Sequence, residues 1–295
     1  MTLNPASPQK IAVLVHPNIP QALEIGKEVV ALIRSLGGDA ESGSLNDNVL
    51  RKSVQARIFD LVIALGGDGT MLRAGHLCAP ADIPLLGINI GTFGFLVELK
   101  RDQWREYLPR LFAGEFRYEK RMMLQAHCTS FGKKQGPFDV INDVVVARGQ
   151  HVRPIKVEAL LNGEHISSYM ADGLIAATPT GSTAYALAAG GPILPPEIRN
   201  ILLMPVAPHL SVDRAVVLSE GSTVTMRVTT AHEAVVSVDG QPPVKMTTED
   251  YVEVAAHEKS LLMVRFQDPN YFYRNLTAYM EHNPVLGIRP NDRSS

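Results

Sequence analysis

A cluster of glycines around one carboxylate, Gly66-Gly67-Asp68-Gly69-Thr70, is the part of the sequence best suited to chemistry. It follows five apolar residues, 61–65, and precedes Met71-Leu72-Arg73-Ala74, which predicts a buried strand, a tight turn and the start of a helix. Backbone N–H groups at such a turn point toward solvent, and the positive end of the helix dipole lies behind them. This glycine turn, residues 66–70, is therefore a predicted phosphate site.

Asp68 is the unusual member of the glycine turn. A carboxylate beside a phosphate is repulsive unless it holds a metal ion or takes a proton during a reaction. The structural alternative is that Asp68 or Thr70 caps the helix while the glycines adopt left-handed backbone conformations. The five residues alone are compatible with both interpretations, so the decision depends on other parts of the chain.

A second run of small and polar residues lies in the other half of the chain. A short apolar strand follows Asp172 and ends at Thr178, and the hydroxyl-rich turn Pro179-Thr180-Gly181-Ser182 follows that strand. The turn opens a predicted helix over 182–189. Ser182 as an N-cap explains part of this pattern without a ligand, but it does not explain the carboxylate or so many small residues. We therefore predict a second site for polar ligand contacts.

The elements that position the glycine turn belong to an α/β domain. Up to about residue 115, short apolar runs typical of strands alternate with segments of helical periodicity. This alternation predicts a parallel, Rossmann-like sheet with right-handed crossovers. The predicted strands are 10–15, 61–65 and 83–89, and the predicted helices are 21–36, 48–58, 71–78 and 101–112. The polar residues 41–48 are assigned to neither class.

The second half has a different sequence pattern, with short Val- and Thr-rich runs of alternating polarity. These predict an all-β domain, a sandwich or layered sheets, over 116–268. Its predicted strands include 139–147, 155–161, 165–170, 223–228 and 251–255, with hairpin turns at Asn162-Gly163 and Asp239-Gly240. Residues 130–138 form a loop of unassigned role. A terminal helix over 271–280 and a loose tail over 284–295 complete a division into 1–115, 116–268 and 269–295.

Composition excludes several classes of function. The chain has 295 residues, enough for about two domains, and its net charge of -2 argues against a nucleic-acid-binding surface. Cys78 and Cys128 have no CxxC or paired-His spacing, so reduced buried thiols are expected rather than zinc ligands or a disulfide. Residues 1–9 do not resemble a signal peptide, and no apolar run reaches about 18 residues. We expect a cytoplasmic protein without membrane contact.

Five motifs, taken in order, resemble the signature set of the NAD kinase family. They are Gly66-Gly67-Asp68-Gly69-Thr70, Asn142-Asp143, Asp172-Gly173 through Thr178-Pro-Thr-Gly-Ser-Thr-Ala-Tyr185, Pro205 to Ser211, and Asp239-Gly240-Gln241. The glycine turn alone is weak evidence, because phosphofructokinases and lipid kinases carry related turns. The run that ends at Tyr185 separates this chain from those enzymes.

The resemblance implies an ATP-dependent kinase that phosphorylates the 2'-hydroxyl on the adenosine ribose of NAD to give NADP. It also implies an active site between the α/β and β-rich domains, a C-terminal helix packing back on the first domain, and a homo-oligomer, a dimer or tetramer. A divalent ion, Mg²⁺ by expectation, would arrive with ATP and neutralise its triphosphate. No protein-held metal site is expected.

The expected catalytic base is Asp68, because a secondary hydroxyl needs a carboxylate within hydrogen-bond reach to accept its proton. Arg73 lies one helical turn on, where it could reach a phosphate or remain an exposed helix cation. The glycines and the Thr70 amide are expected to cradle phosphate. The candidate NAD- and ATP-binding residues are Gly66, Gly67, Gly69, Thr70, Arg73, Phe95, Asn142, Asp143, Arg153, Asp172, Thr183, Ala184, Tyr185, Ala186, Leu187, Ala188, Ala207 and Gln241.

Several of these candidates have a specific expected role. Asn142 and Asp143 interrupt an apolar run and can bind ribose hydroxyls or the adenine edge. By motif position, Arg153 is placed near the pyrophosphate or the transferred phosphate, and Asp172 near the nicotinamide. Phe95 could stack on adenine or be an ordinary core residue. Met170 replaces a polar or basic residue of many relatives, which puts a side-chain phosphate contact there in doubt.

Two other functions remain as alternatives. A lipid kinase of the diacylglycerol or sphingosine type would share the glycine turn. It would also need a hydrophobic channel for its lipid acceptor, which residues 171–190 do not offer. A non-catalytic NADP sensor would bind the dinucleotide without turnover, and an intact Asp68 argues against it. The sequence does not determine whether the donor is ATP alone or also polyphosphate, whether NADH is accepted, or whether NADPH or NADP controls the protein allosterically.

Overall fold

Alternating apolar strands and amphipathic helices form the first of two structural units. The computed structural model describes residues 7–91, 94–209, 214–274 and 276. The first unit contains the described residues up to Lys120 and from Leu261 onward, and the second contains Arg121–Ser260. Elements of the first unit are β1 Lys10–Val15, α1 Pro20–Ser35, β2 Asp39–Ser44, α2 Asn48–Gln55, β3 Leu61–Gly66, α3 Asp68–Cys78, β4 Leu85–Asn89 and α4 Trp104–Phe112.

The sheet of the first unit is parallel, as the sequence predicts. Its order is β2-β1-β3-β4, and the last residues of a long strand of the second unit, Tyr251–Arg265, add to β4 through the pair Met263 and Leu85. Every residue of β3 is buried, and α1 and α4 share its core. The carboxyl ends of these strands, including the glycine turn after β3, therefore lie along one edge of the sheet.

Two details differ from the sequence prediction. Residues 39–44 form the edge strand β2, although they are polar, because an edge strand needs only the backbone pairing that it makes with β1. Helix α3 begins at Asp68 rather than at residue 71, so most of the predicted turn is the first turn of the helix. The carboxylate of Asp68 thus lies directly at a helix N-terminus.

The second unit is β-rich, as expected. Its strands and helix are β5 Arg117–Ser130, which begins in the first unit, β6 Lys133–Val140, β7 Asp143–Arg148, β8 Ile155–Leu161, β9 Glu164–Ala171, β10 Gly173–Ala177, α5 Tyr185–Ala188, β11 Asn200–Val206, β12 Val216–Ser219, β13 Val224–Val228, β14 Ala234–Val238, β15 Val244–Met246 and β16 Tyr251–Arg265. One antiparallel sheet has the order β12-β11-β10-β7-β14-β15. The other contains β9-β8-β13-β16 and the β5–β6 hairpin. Buried residues of both sheets share one core, so the unit is layered.

Turn residues set the register of two hairpins. Asn162 and Gly163 join β8 to β9 with φ of 53° and 87°, and Asp239 and Gly240 join β14 to β15 with φ of 49° and 67°. Positive φ at both central positions is the turn geometry that favours Asn-Gly and Asp-Gly. Both hairpin predictions are confirmed.

Two predictions for the second unit are wrong. Residues 130–138 are not a loop, because residues 133–138 belong to β6 and pair with β5 after a turn at Phe131-Gly132. Ladder hydrogen bonds need no apolar side chains, so this exposed polar strand has no hydrophobic signature. The predicted strand 139–147 is interrupted at Ile141-Asn142, where the chain leaves β6 and enters β7.

The C-terminal region returns to the first unit. Residues 261–268 belong there rather than to the β-rich unit, because Met263 pairs with Leu85. The short helix α6, Tyr271–Arg274, is the described part of the predicted helix 271–280. Burial, followed by the charges of Glu98 and Tyr107, raises the pKa of Tyr271, which fits a start of α6 close to these two residues of the same unit. Apart from residue 276, the rest of the helix and the tail 284–295 lie outside the described residues.

The two cysteines are both buried and unpaired, which fits the expected reduced thiols. No helix within the described ranges is long and apolar enough to span a membrane.

Asp250 provides a test of the second unit's stability. Burial raises the pKa of Asp250, but hydrogen bonds from Gly132, Thr247 and Phe131 outweigh it and lower the pKa to about 2. We expect Asp250→Asn to lower the free energy of unfolding at pH 7 by about 1–3 kcal/mol, because Phe131, Gly132 and Thr247 lose a charged acceptor.

The pH dependence follows from the lowered pKa. The stabilisation by Asp250 is complete above its unfolded pKa of about 4 and is lost as the pH falls toward 2. Urea unfolding at pH 7 and pH 3 should therefore show a smaller difference between wild type and variant at the lower pH. Asp82→Asn, at an exposed pair with Arg57, is the matched control and should change stability by less than about 1 kcal/mol. An Asp250 variant as stable as this control would contradict the assignment.

Candidate active site

The glycine turn presents an open helix N-terminus. Gly67 is the N-cap residue of α3 and makes no side-chain cap. A Cβ placed on Gly67 or Gly69 would meet no atom within 4 Å. The first N–H groups of a helix have no intrahelical acceptor, and the helix dipole adds positive potential there. The turn therefore offers uncovered donors at which an anion can bind.

The amide and the hydroxyl of Thr70 both lie inside the turn. Its amide already donates to the Gly67 carbonyl at 2.9 Å, and its hydroxyl is buried without a hydrogen-bond partner among the described residues. A Cβ on Gly66 would lie 2.2 Å from the Thr70 Oγ1, so Gly66 is needed to accommodate Thr70. Helix α3 begins earlier than predicted and uses the Thr70 amide in its first turn, and a phosphate contact by Thr70 stays a prediction. The open backbone positions of the turn are Gly67 and Gly69, beside which a Cβ would meet no atom within 4 Å.

The Asp68 carboxylate is held by the segment after β4. Its Oδ2 accepts the Phe95 N–H at 2.8 Å, and its Oδ1 accepts the Leu96 N–H at 3.0 Å. A Cβ on Gly94 would lie 2.2 Å from the Asp68 Oδ1, so this segment approaches the carboxylate as closely as glycine allows. Asp68 is half-buried, and its two oxygens have a fixed orientation.

Two other candidates of the first unit have local roles. Arg73 is exposed, and its guanidinium donates to the side-chain oxygen of Asn46, which follows β2. It therefore lies along the same carboxyl edge of the parallel sheet as the glycine turn. Phe95 is half-buried, and its backbone, rather than its ring, contacts Asp68.

In the second unit, Asp239 organises one end of the six-stranded sheet. Its carboxylate accepts the backbone N–H groups of Ile141, Asn142 and Asp143 at 2.8, 2.7 and 2.9 Å. These amides lie at the interruption between β6 and β7. Asp239 thus fixes the backbone of the Asn142-Asp143 motif.

The turn after β10 closes on the same interruption. Thr178 donates its hydroxyl to the Ile141 carbonyl at 2.6 Å and its amide to the Asn142 carbonyl at 2.8 Å. Gly181 passes so close that a Cβ there would lie 2.0 Å from the Asn142 oxygen. The Thr-Pro-Thr-Gly-Ser run therefore packs directly against Asn142, and only glycine fits at residue 181.

The predicted helix over 182–189 is shorter and less regular than expected. Residues 181–183 form a 3-10 turn, and α5 covers only Tyr185–Ala188. Ser182 is not an N-cap. Its buried hydroxyl donates to the Pro179 carbonyl and accepts the Leu194 amide, so it ties the turn to a distant loop. Among the candidate residues of this run, Tyr185 is exposed, Ala186 is buried, and Thr183, Ala184 and Leu187 are at least partly accessible, as is Ala188.

Asp143 is an unusually placed carboxylate. It is 5 % exposed and lies at the start of β7. Burial, followed by the charge of Asp239, raises the pKa of Asp143 to about 7, and a hydrogen bond from the Tyr185 N–H opposes this rise. Its carboxyl group can therefore gain or lose a proton near neutral pH and can act as a donor or as an acceptor.

The remaining candidates fall at the two ends of the sheet. We call the end where Asp143 pairs with Ala177 the near end of the sheet. It carries Asn142, Asp143, the run from Thr183 to Ala188 and Gln241. Asp172 and Ala207 lie at the far end, where Gly173 pairs with Val206. Five residues of an antiparallel strand span about 17 Å, and β10 separates these groups by that number. One chain's sheet therefore does not bring the two groups together.

The far end has its own charges. Arg148 forms an ion pair with Asp172 at 3.3 Å between Nε and Oδ2. Arg153 is exposed in the loop after β7 and makes no hydrogen bond or ion pair to the part of the chain that the structure describes. Ala207 has a φ of 45°, in the left-handed region.

Sequence reasoning missed three residues with clear structural roles in these sites. Asp239 was interpreted as a hairpin turn and as part of the Asp239-Gly240-Gln241 motif, but it was given no role in fixing the Asn142-Asp143 backbone. Arg148 and Arg121, which donates from a buried position to the Thr180 hydroxyl at 3.3 Å, carry no local signal. Their partners come from distant strands.

Comparison with known proteins decides the family. The model of the ATP-NAD kinase N-terminal domain matches residues 40–116, and that of the ATP-NAD kinase C-terminal domain matches residues 141–266. The chain belongs to the NAD kinase family. A NAD kinase of Heliobacterium modesticaldum is 38 % identical over 89 % of this chain and 95 % of the relative, and one of Dehalococcoides mccartyi strain BAV1 is 35 % identical over 93 % and 97 %.

Solved structures of the family share the fold. Yeast NADH kinase complexed with NADH has a TM-score of 0.81 at 22 % identity, covering 99 % of this chain and 91 % of that chain. An NAD kinase from Archaeoglobus fulgidus in complex with ATP has a TM-score of 0.73 at 24 % identity, covering 91 % and 98 %. The fold class inferred from the sequence is confirmed.

The contact between Gly181 and Asn142 can be tested by substitution. We expect Gly181→Ala to lower the free energy of unfolding by about 1–3 kcal/mol, because its Cβ cannot fit beside a backbone carbonyl without displacing the Asn142-Asp143 motif. Chemical denaturation measures this. Gly221→Ala, where the Cβ would meet nothing within 4 Å, is the matched control and should be neutral. Equal stability of the two variants would contradict the close packing.

The raised pKa of Asp143 predicts a pH-dependent stability. Because the folded pKa of about 7 lies above the unfolded value, the folded state retains the proton longer, and stability falls as the pH rises from about 4 to 7. The slope from this one group is at most about 1.4 kcal/mol per pH unit. Free energies of unfolding of wild type minus Asp143→Asn, measured from pH 5 to 8, should show this decrease and then level off. Asp102→Asn controls for loss of an exposed carboxylate, and a flat difference for Asp143 would refute the assignment.

Proposed function

We propose that this chain transfers the γ-phosphate of ATP to the 2'-hydroxyl on the adenosine ribose of NAD, giving NADP. Its membership of the NAD kinase family supports the reaction, and the relatives solved with NADH and with ATP support the two substrate classes. The observation that carries the proposal is the Asp68 carboxylate, oriented by two amides at an open, glycine-lined helix N-terminus. That combination supports a proton acceptor beside a phosphate site.

Asp68 acts as the general base in this proposal. The ribose hydroxyl is a weak nucleophile, so a carboxylate that accepts its proton as the bond to phosphorus forms lowers the barrier. Each carboxylate oxygen of Asp68 accepts one backbone N–H, and an ionised carboxylate has about four lone-pair sites. In this proposal the substrate hydroxyl also donates to the Asp68 carboxylate.

The glycine turn holds the transferred phosphate. The backbone of Gly67 and Gly69 and the dipole of α3 stabilise negative charge, and Arg73 supplies a cation on the same helix. Since Gly67 and Gly69 carry no side chains, phosphate oxygens can approach the backbone directly. The cradle thus consists of backbone rather than side-chain groups.

A divalent ion fits this site as a companion of ATP. Among the described residues, no group of three or more His, Cys, Asp or Glu side chains is arranged to hold a metal. Mg²⁺ is commonly bound through one or two carboxylates and the phosphates of the substrate. Asp68 is the carboxylate of the glycine turn and the residue that would contact such an ion, which would neutralise charge on the triphosphate.

The second unit contributes the dinucleotide contacts. We assign Asn142 and Asp143 to the ribose hydroxyls or the adenine edge, because their backbone is fixed by Asp239 while their side chains offer both donors and acceptors. The accessible residues between Thr183 and Ala188, with Gln241, belong to the same near end of the sheet. Asp172, Ala207 and Arg153 are assigned to the nicotinamide and phosphate portion of the dinucleotide on motif position alone.

Other properties of the chain stay predictions. A homo-oligomer, either a dimer or a tetramer, is expected from the family resemblance, and a cytoplasmic location stays a prediction from the sequence pattern. Sedimentation of the purified protein measures the number of subunits directly.

Substitution of Asp68 tests the mechanism. We expect Asp68→Asn to retain NAD binding by calorimetry while kcat falls by about 10²–10⁴-fold, because an amide cannot accept the proton. NADP is measured with an NADP-specific dehydrogenase. Asp47→Asn is the matched control, since Asp47 also accepts two amides at a helix N-terminus, that of α2, and asparagine is an equally good N-cap.

The outcomes separate the competing functions. NADP production by wild type and the control, without phosphorylation of diacylglycerol or sphingosine, supports the proposal and excludes the lipid kinase. A folded wild type that binds NAD but makes no NADP from ATP would refute it and favour the sensor. An active Asp68→Asn protein would remove Asp68 from the role of base.

A further inference from the structure

A buried cluster of ionised side chains lies in the first unit behind the glycine turn. Arg265, at the end of β16, donates from Nε to Glu119 at 3.1 Å and from Nη1 to Glu98 at 3.0 Å. The three side chains are only 7 %, 7 % and 4 % exposed. Removing such charges from water is costly unless each is paired, so this arrangement fixes its members tightly.

The cluster also holds the segment that orients Asp68. The Arg265 Nη1 donates to the Leu96 carbonyl at 3.3 Å, and Glu98 accepts the Phe266 amide at 2.8 Å. The Leu96 N–H, on the other side of the same residue, donates to the Asp68 carboxylate. Leu96 is therefore bound at its carbonyl by Arg265 and at its amide to Asp68.

The segment 94–96 packs so closely against Asp68 that it cannot move independently of the carboxylate. A Cβ on Gly94 would overlap the Asp68 Oδ1, so a small shift of residues 94–96 must displace the carboxylate or break its two hydrogen bonds. A displacement of about 1 Å at a reacting group can cost about 10²-fold in rate. Asp68 depends on this segment for its orientation, and the segment depends on Arg265.

We propose that Arg265 is a positioning residue for Asp68, acting through the Leu96 backbone, and that Glu98 and Glu119 hold its guanidinium for this purpose. The proposal rests on the proposed kinase function, in which Asp68 is the base. Lysine cannot replace arginine here, because a single ammonium lacks the planar fork that reaches two carboxylates and a carbonyl at once.

Arg265→Lys is the first test, with Arg117→Lys as its matched control. Arg117 also contacts Glu119, at 3.5 Å, but its other described hydrogen bond goes to the Gln267 carbonyl rather than to residues 94–98. We expect Arg265→Lys to lower kcat by about 10–100-fold with KM for NAD and ATP within twofold, since binding groups are untouched. Arg117→Lys should keep wild-type kcat.

Hydrogen exchange provides a readout independent of activity. The Phe95 and Leu96 amides are protected by Asp68, so their exchange in Arg265→Lys should accelerate while the β3 amides keep wild-type rates. Glu98→Gln keeps the shape of its side chain and tests the same link if the lysine variant does not fold. It should show the same faster exchange at residues 95 and 96, with a severalfold fall in kcat.

Each result has a defined meaning. Wild-type kcat in both Arg265→Lys and Glu98→Gln overturns the proposal, as does an equal loss in Arg117→Lys, which would indicate a general structural role. Unchanged exchange of the two amides also overturns it. If wild type itself makes no NADP, the kinase function fails instead, whereas the exchange experiment still tests the link between Arg265 and residues 95 and 96.

Discussion

Carboxylates that accept consecutive backbone N–H groups are the constraint on which the candidate residues of each unit depend. Asp68 accepts the amides of Phe95 and Leu96, and Asp239 accepts those of Ile141, Asn142 and Asp143. Hydrogen bonds to a charged acceptor are stronger than neutral ones, and they orient the irregular backbone that carries functional groups. Each unit thus uses one acidic side chain to fix a segment that regular secondary structure does not reach.

The two carboxylates differ in what else they do. Asp239 lies in a hairpin turn and serves the backbone around it, whereas Asp68 stands at an open helix N-terminus where a substrate can approach. The dipole of α3 favours negative charge at that position. This explains how an aspartate can lie at a predicted phosphate site: the helix dipole and two amides favour its negative charge before any substrate arrives.

Glycine has a different purpose at each position in these sites. Gly67 and Gly69 leave the helix N-terminus uncovered, whereas Gly66, Gly94 and Gly181 permit contacts that a Cβ would prevent. The close contacts tie together parts of the chain that are distant in sequence, such as Gly181 and Asn142. A motif rich in small residues therefore reports both ligand access and internal packing, and sequence alone does not separate the two.

The sequence by itself determined the family, the α/β and β-rich halves, both hairpin turns and the position of the glycine turn, because these depend on local periodicity and on residue types at fixed spacing. It did not reveal that the Thr70 amide is consumed by the helix, since a shift of three residues in the start of α3 decides this. Edge strands such as β2 and β6 were missed because backbone pairing requires no apolar side chains and so gives no hydrophobic pattern in the sequence. The links from Arg265 to Leu96, from Asp239 to Asn142 and from Gly181 to Asn142 join residues about 40 to 170 positions apart. Only the tertiary structure could decide them, because the burial and geometry that make such contacts strong arise when distant segments pack together.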